Sequence, residues 1–127
     1  MLRHQLQFGY PMGEDSKVFE TAGELFALLS TPVRLKILSV LCNGEQNVSM
    51  LVEATETKQP NLSQHLNALY RAGILGRRRD GTQIFYNIQS QRAVTLCRAV
   101  CSQIAIDISD AADVPAQDRL VRARRSA

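Results

Sequence analysis

The 127-residue sequence predicts a mainly α-helical domain with a small β-hairpin, in the order α-α-α-α-β-β-α. Three observations carry that prediction. Apolar residues recur at helical spacing on both sides of the hairpin region, two β-rich runs flank Asp80-Gly81, and turn formers separate the segments.

Residues 1–15 show no clean period and are read as an N-terminal arm. Ser16 caps the first helix, whose Val18, Phe19, Ala22, Leu25, Phe26 and Leu29 recur at helical spacing. Thr31-Pro32 starts the second, pairing a capping hydroxyl with a proline where the helix has no donor to lose. Val33, Leu35, Ile37, Leu38, Val40 and Leu41 make this helix apolar nearly all round, which places it at the centre of the core. Asn43-Gly44 ends it. A short helix over about 49–56 takes Ser49 as cap and turns Met50, Leu51 and Ala54 inward. The polar turn Thr55-Glu56-Thr57-Lys58 leads into a helix opened by Pro60 and stopped by Ala72-Gly73. Two short helices joined by a tight polar turn form a helix-turn-helix.

Residues 74–79 and 82–88 are the strands of a hairpin, with Asp80-Gly81 as a tight turn whose central residues both take positive φ. Ser90 caps a last helix to about Ser109, with Val94, Leu96, Cys97, Val100, Cys101, Ile104 and Ile108 on a broad apolar face. Residues 110–127 keep no apolar period and read as a disordered basic tail carrying Arg119, Arg122, Arg124 and Arg125. The domain thus covers 16–109, and its element order is that of a winged helix-turn-helix with an added terminal helix.

A chain of this length is one domain, able to bury roughly two thirds of its unfolded surface without help from disulfides or a metal. Its net charge of +3 and pI near 9.0 are mildly basic. The charge is unevenly placed, however: Arg71, Arg77, Arg78 and Arg79 crowd one region while Glu14, Asp15, Glu20 and Glu24 occupy another, which favours an acidic polymer as partner. No apolar run approaches the roughly 20 residues of a membrane span, and the N-terminus lacks a signal-peptide core, so a cytoplasmic protein without membrane association is expected. There is no nucleophile–base pairing, Gly-rich phosphate loop or paired-carboxylate site. An enzyme is therefore not expected, nor a cofactor.

The helix opened by Pro60 places Leu62, Leu66 and Leu69 on one side and short polar residues on the other. Gln59, Asn61, Ser63, Gln64 and His65 are the candidate DNA readers. Gln and Asn pair bidentately with adenine, Ser and His reach bases or phosphates, and each good base contact contributes about 1–3 kcal/mol of discrimination. The bland reading, a solvated helix face, is weakened by the arginine-rich hairpin that follows at once. Arg77, Arg78 and Arg79 are candidates for phosphate or minor-groove contact. Strand alternation puts Arg77 and Arg79 on one face and Arg78 on the other, so at least one is expected to pack on the domain or pair with an acid. His65 stands alone in a polar face and is not expected to hold a metal; Tyr86 is expected in the core.

At this point the chain resembles the ArsR/SmtB family of bacterial repressors. The residues that carry the resemblance are Leu28-Leu29-Ser30-Thr31-Pro32-Val33-Arg34-Leu35-Lys36-Ile37-Leu38, Gln59-Pro60-Asn61-Leu62-Ser63-Gln64-His65-Leu66, Leu69-Tyr70-Arg71-Ala72-Gly73-Ile74-Leu75, and Arg78-Arg79-Asp80-Gly81 with Ile84-Phe85-Tyr86. The resemblance implies a homodimer joined through the first and last helices, two recognition helices on successive major grooves of a partly palindromic double-stranded operator, and repression that a small inducer relieves. The apolar face of the last helix independently asks for a partner subunit.

Both standard metal sites of the family are doubtful here. Val48-Ser49-Met50-Leu51-Val52 stands where the arsenic type has its cysteine cluster, and the last helix offers Arg92, Thr95, Arg98, Ser102 and Gln103 with a carboxylate only at Asp107. Three cysteines remain: Cys42, Cys97 and Cys101. An odd number in a reducing compartment argues against a permanent disulfide. Cys97 and Cys101 share a helix face, about 6 Å apart along its axis. Thiol-based members of the family, which respond to reactive sulfur species or oxidants, pair a thiol on the second helix with one on the last. Relative to them Cys42 lies about one turn later and Cys101 one turn earlier, shifts that compensate if the helices run antiparallel. Thiol sensing, a soft-ion site of Cys42, Cys97 and Cys101, and inert apolar cysteines all stay open. So does an architectural winged helix with a protein partner.

Overall fold

The computed structural model describes residues 15–112. The arm at 1–14 and the tail from 113, with its arginines, lie outside the described residues. The elements in chain order are α1 (Asp15–Leu28), α2 (Pro32–Leu41), β1 (Gln46–Asn47), α3 (Val48–Thr55), α4 (Gln59–Arg71), β2 (Leu75–Asp80), β3 (Gln83–Ile88) and α5 (Gln91–Ala112).

Local chemistry sets most of the boundaries. Thr31 Oγ1 accepts the Arg34 amide at 3.2 Å and Pro32 occupies the first turn, so α2 starts where a cap and a proline coincide. Ser90 Oγ accepts the Ala93 amide at 3.2 Å at the head of α5. Gly73, at φ 79, lets the chain leave α4 directly for the hairpin, a conformation that a Cβ would strain.

Five local expectations are corrected, the first being the cap of α1: the helix already includes Asp15, so Ser16 lies within its first turn and does not cap it. The cap of α3 is Asn47, whose Oδ1 accepts the Met50 amide at 2.9 Å, rather than Ser49. Helix α3 accordingly begins one residue earlier and buries Leu51 and Thr55, while Met50 and Ala54 are exposed. The Thr55 hydroxyl is tolerated inside because it donates to Leu51 O at 2.6 Å. The hairpin pairs Asp80 with Gln83, so its loop is Gly81-Thr82 and only Gly81 takes positive φ, at 63°. That is the demand of a turn with glycine first, not of Asp80-Gly81 with two positive φ values. Finally, Gln46 and Asn47 add a short strand, giving a three-stranded antiparallel sheet in the order β1-β3-β2.

The core gathers one face from every helix. Ile37, Leu38, Leu51, Leu62, Leu66 and Leu69 are wholly buried, joined by Leu29, Leu41, Ile74, Leu75, Tyr86, Ala93 and Cys97. Helix α2 is central as its composition demands, and Tyr86 is a core residue. Truncating any of the fully buried leucines to alanine is worth about 2–5 kcal/mol. Helices α3 and α4 meet through a three-residue turn in which Glu56 adopts the left-handed conformation at φ 54, and this turn holds α4 across the surface of the domain beside the hairpin.

Candidate DNA interface and thiol cluster

Helix α4 buries Leu62, Leu66 and Leu69 and so turns its opposite face outward. Gln59, Asn61 and Gln64 are exposed there, and Ser63 is half-buried. These positions lie within the first two turns, the end of a recognition helix that enters a groove. His65 sits differently. Its Nδ1 accepts a hydrogen bond from Arg34 Nε at 3.0 Å, while Arg34 Nη1 donates to Leu28 O at 3.0 Å. Partial burial, and then the Arg34 charge, lower the imidazole pKa below its ordinary 6.5 and keep the ring neutral. His65 therefore ties α4 to α2 and to the end of α1, with its Nε2 left as its second polar atom.

The three wing arginines have separate environments. Arg77 lies over the Tyr70 ring, 3.9 Å from its centroid, with Asn67 Oδ1 at 3.5 Å. The Tyr86 hydroxyl is the main influence raising its already high pKa. Arg78, on the other face, clamps the Glu45 carboxylate at 2.7 and 2.9 Å and covers Phe85 at 4.6 Å. Hydrogen bonding from Arg78 in turn lowers the Glu45 pKa. Arg79 shares the Arg77 face but is exposed, and it makes no hydrogen bond or ion pair with the described residues. Among the described residues Arg79 is thus the wing arginine without a side-chain partner, while Arg77 packs on Tyr70 of α4 and Arg78 pairs with Glu45. What sequence reasoning missed is Glu45, and the signal for it is nonlocal: an acid 33 residues from its partner.

Cys42, Cys97 and Cys101 line one cavity of about 340 Å³, together with Ser39, Asn43, Val94, Arg98 and Ser102. Cys42 is the C-cap of α2, and the other two are one turn apart on α5. Their Sγ atoms stand 3.9 Å apart. Cys97 is buried, whereas Cys42 and Cys101 are exposed. Burial, reinforced by the Cys101 contact, pushes the Cys97 thiol up to about 11, so at neutral pH it holds its proton and serves poorly as a first nucleophile. The thiols share a cavity without converging on a point: among the described residues no three His, Cys, Asp or Glu side chains are placed to hold a metal ion.

Helix α5 changes character along its length. Ala93, Val94 and Cys97 are buried, but Val100, Ile104, Ile106 and Ile108 are each 45–66% exposed. Helix α1 exposes Phe26 in the same way. A groove of about 820 Å³ runs between the two helices, lined by Val18, Ala22, Leu25, Leu96 and Ala99 among others. No helix of the described residues is long and apolar enough to cross a membrane.

Residues 31–76 match the family model described as "Bacterial regulatory protein, arsR family". An uncharacterized HTH-type transcriptional regulator of Methanocaldococcus jannaschii is 37% identical over 83 residues, covering 65% of this chain and 93% of that one. The crystal structure of the transcriptional repressor BigR from Xylella fastidiosa superposes with a TM-score of 0.68 at 33% identity, over 73% of this chain and 95% of that one. A homodimeric winged helix-turn-helix DNA-binding domain from Mycobacterium bovis, solved by NMR, gives a TM-score of 0.59 at 27% identity, over 78% and 89% of the two chains.

Proposed function

Since this chain belongs to the ArsR family of bacterial regulatory proteins, which are DNA-binding regulators and not enzymes, we propose that it is a homodimeric repressor whose operator binding is governed by its thiols. The observation that carries the DNA-binding half is the exposure of Gln59, Asn61 and Gln64 beside Arg79, which has no ion pair among the described residues. Base-edge chemistry lies on the helix and phosphate chemistry on the wing, as direct readout of a major groove requires. A dimer through α1 and α5 covers Phe26, Val100, Ile104 and Ile108 and sets two α4 helices about one DNA turn, roughly 34 Å, apart. The similar M. bovis domain is homodimeric, which supports a dimer here.

The signal acts through the shared cavity. A reactive sulfur species or an oxidant converts two thiols into a covalent link, and the link must include Cys42 to matter. A bond between Cys97 and Cys101 lies inside one helix and constrains no element against another, whereas a bond from Cys42 to either fastens the end of α2 to α5. The chain then stops presenting its two α4 helices at the operator spacing, and repression lifts.

Binding of fluorescent operator and random duplexes at several salt concentrations tests the DNA half. Gln64→Ala is expected to lose discrimination by about 1–3 kcal/mol, and Arg79→Ala to weaken both duplexes alike and reduce the salt slope by about one. Wild-type discrimination and slope in both variants would overturn the interface. For the signal, release by polysulfide or diamide should vanish in Cys42→Ser; release that persists in Cys42→Ser, Cys97→Ser and Cys101→Ser alike sinks thiol control.

A further inference from the structure

Strand β2 leaves the core as it runs toward the hairpin turn. Leu75 is buried, and the residues that follow it on the same strand face, Arg77 and then Arg79, are exposed. The Arg77 guanidinium lies over the Tyr70 ring, 3.9 Å from its centroid, and its Nη1 approaches Asn67 Oδ1 at 3.5 Å. Its cross-strand partner on β3 is Tyr86, whose hydroxyl is the largest influence raising the Arg77 pKa. One side chain of β2 thus meets both α4 and β3.

Asn67 and Tyr70 are exposed and adjoin each other on one face of α4, about one turn apart. They lie past Gln59, Asn61 and Gln64, with Tyr70 about 9 Å along the axis from Gln64. The seat of the wing and the candidate base readers therefore share one helix. Arg79 is the next residue on the Arg77 face of β2, about 7 Å further along the strand. Where Arg77 is seated decides where Arg79 stands relative to Gln64.

We propose that Arg77 is a positioning residue for DNA reading: stacked on Tyr70, it fixes the wing against α4 and holds Arg79 at the phosphate, without binding phosphate itself. The role rests on the DNA-binding reading above. A guanidinium suits the seat, because its flat face covers a ring while its edge keeps N–H donors for Asn67 and Tyr86. The stack needs the ring of Tyr70 and not its hydroxyl.

Anisotropy of labelled DNA at fixed salt tests the role in the full chain, with the duplex that wild type enriches from a randomised pool and an unselected duplex of equal length. Tyr70→Leu removes the ring and no charge. It is expected to weaken binding of the enriched duplex about three- to tenfold, as Arg77→Gln does, with the double variant within about twofold of either. Tyr70→Phe keeps the stack and should bind within about twofold of wild type. A cycle with Arg79→Ala separates positioning from a general loss of stability: the fold-loss from Arg79→Ala should fall by about half or more in the Tyr70→Leu background. An undiminished Arg79 effect there overturns the proposal, as does wild-type affinity in Tyr70→Leu. If Arg77→Gln alone is weakened, Arg77 is a phosphate contact instead. A wild type that enriches no duplex overturns the DNA-binding reading and the positioning role with it, whereas enrichment with additive Tyr70 and Arg79 effects overturns the positioning role alone.

Discussion

The imidazole of His65 sits between elements instead of facing outward with its neighbours on α4. Because Nδ1 accepts from Arg34 Nε, the bond exists only while that nitrogen is unprotonated. Protonation removes the acceptor and sets one cation against another. Burial, followed by the Arg34 charge, depresses the folded-state pKa below 6.5. The sign follows directly: the unfolded chain takes up the proton first, so the contribution of this contact is fully present above about pH 6.5 and is lost as pH falls through the lower folded value. Urea denaturation at pH 7.5 and 5.5 should show wild type losing stability on acidification and His65→Gln, which offers an acceptor that does not titrate, losing less. Identical pH dependence in the two proteins would remove the contact from the account. Side-chain type alone placed His65 among the readers, as one polar residue among several on a helix face. Its burial and its partner on α2 come from packing, which spacing along α4 does not encode.

At the scale of elements, the boundaries legible in the sequence are those written by adjacent residues. Thr31-Pro32 and Pro60 open their helices, and Ser90 caps the last, because cap and first turn are neighbours in the chain. The illegible ones depend on pairing at a distance. Asn47 and Ser49 are both good caps, and what decides for Asn47 is that Gln46 and Asn47 are held by β3 opposite Tyr86 and Phe85. In the same way the hairpin loop falls on Gly81-Thr82 because the β2–β3 register, anchored by buried Leu75 and Tyr86, leaves Asp80 in the strand. Arg78 pairs with an acid, Glu45, that only the β1 pairing brings near. Asn47 serves two elements at once, since its Nδ2 also donates to Gln83 Oε1 at 2.9 Å. Asn47→Ala should therefore cost about 0.5–2 kcal/mol of stability from the lost cap, measured by thermal or urea unfolding. Ser49→Ala should change little; the reverse ranking would return the cap to Ser49.

For the molecule as a whole, the apolar end of α5 and the thiol cavity bear on the same question, how two α4 helices are held apart. Ile104→Glu places a charge in the exposed Val100, Ile104 and Ile108 row and should yield monomers by sedimentation equilibrium, with operator affinity lowered at least about a hundredfold as bivalent contact is lost. A dimer that survives this change does not use α5. Under the proposed thiol control, a second path within each subunit would run from thiols to wing. Cys42 ends α2, Glu45 three residues later clamps Arg78, and the next two residues pair with β3. A bond drawing Cys42 toward α5 pulls on residues 43–47, whose far end is the wing itself. Cutting the clamp should loosen that link without touching either terminus of it. Glu45→Gln keeps the size of the side chain and removes its charge, leaving the cavity thiols unaltered. Their reaction rates should match wild type, and the reduced protein should bind its operator within about threefold of wild type, as expected of an exposed ion pair. The ratio of reduced to oxidised affinity should shrink by about fivefold or more, the lower end of typical coupling between sites. Anisotropy of labelled operator at fixed salt, before and after complete thiol reaction, measures that ratio. An unchanged ratio would mean that oxidation reaches DNA through the dimer interface alone, with the wing following α4 and not Cys42.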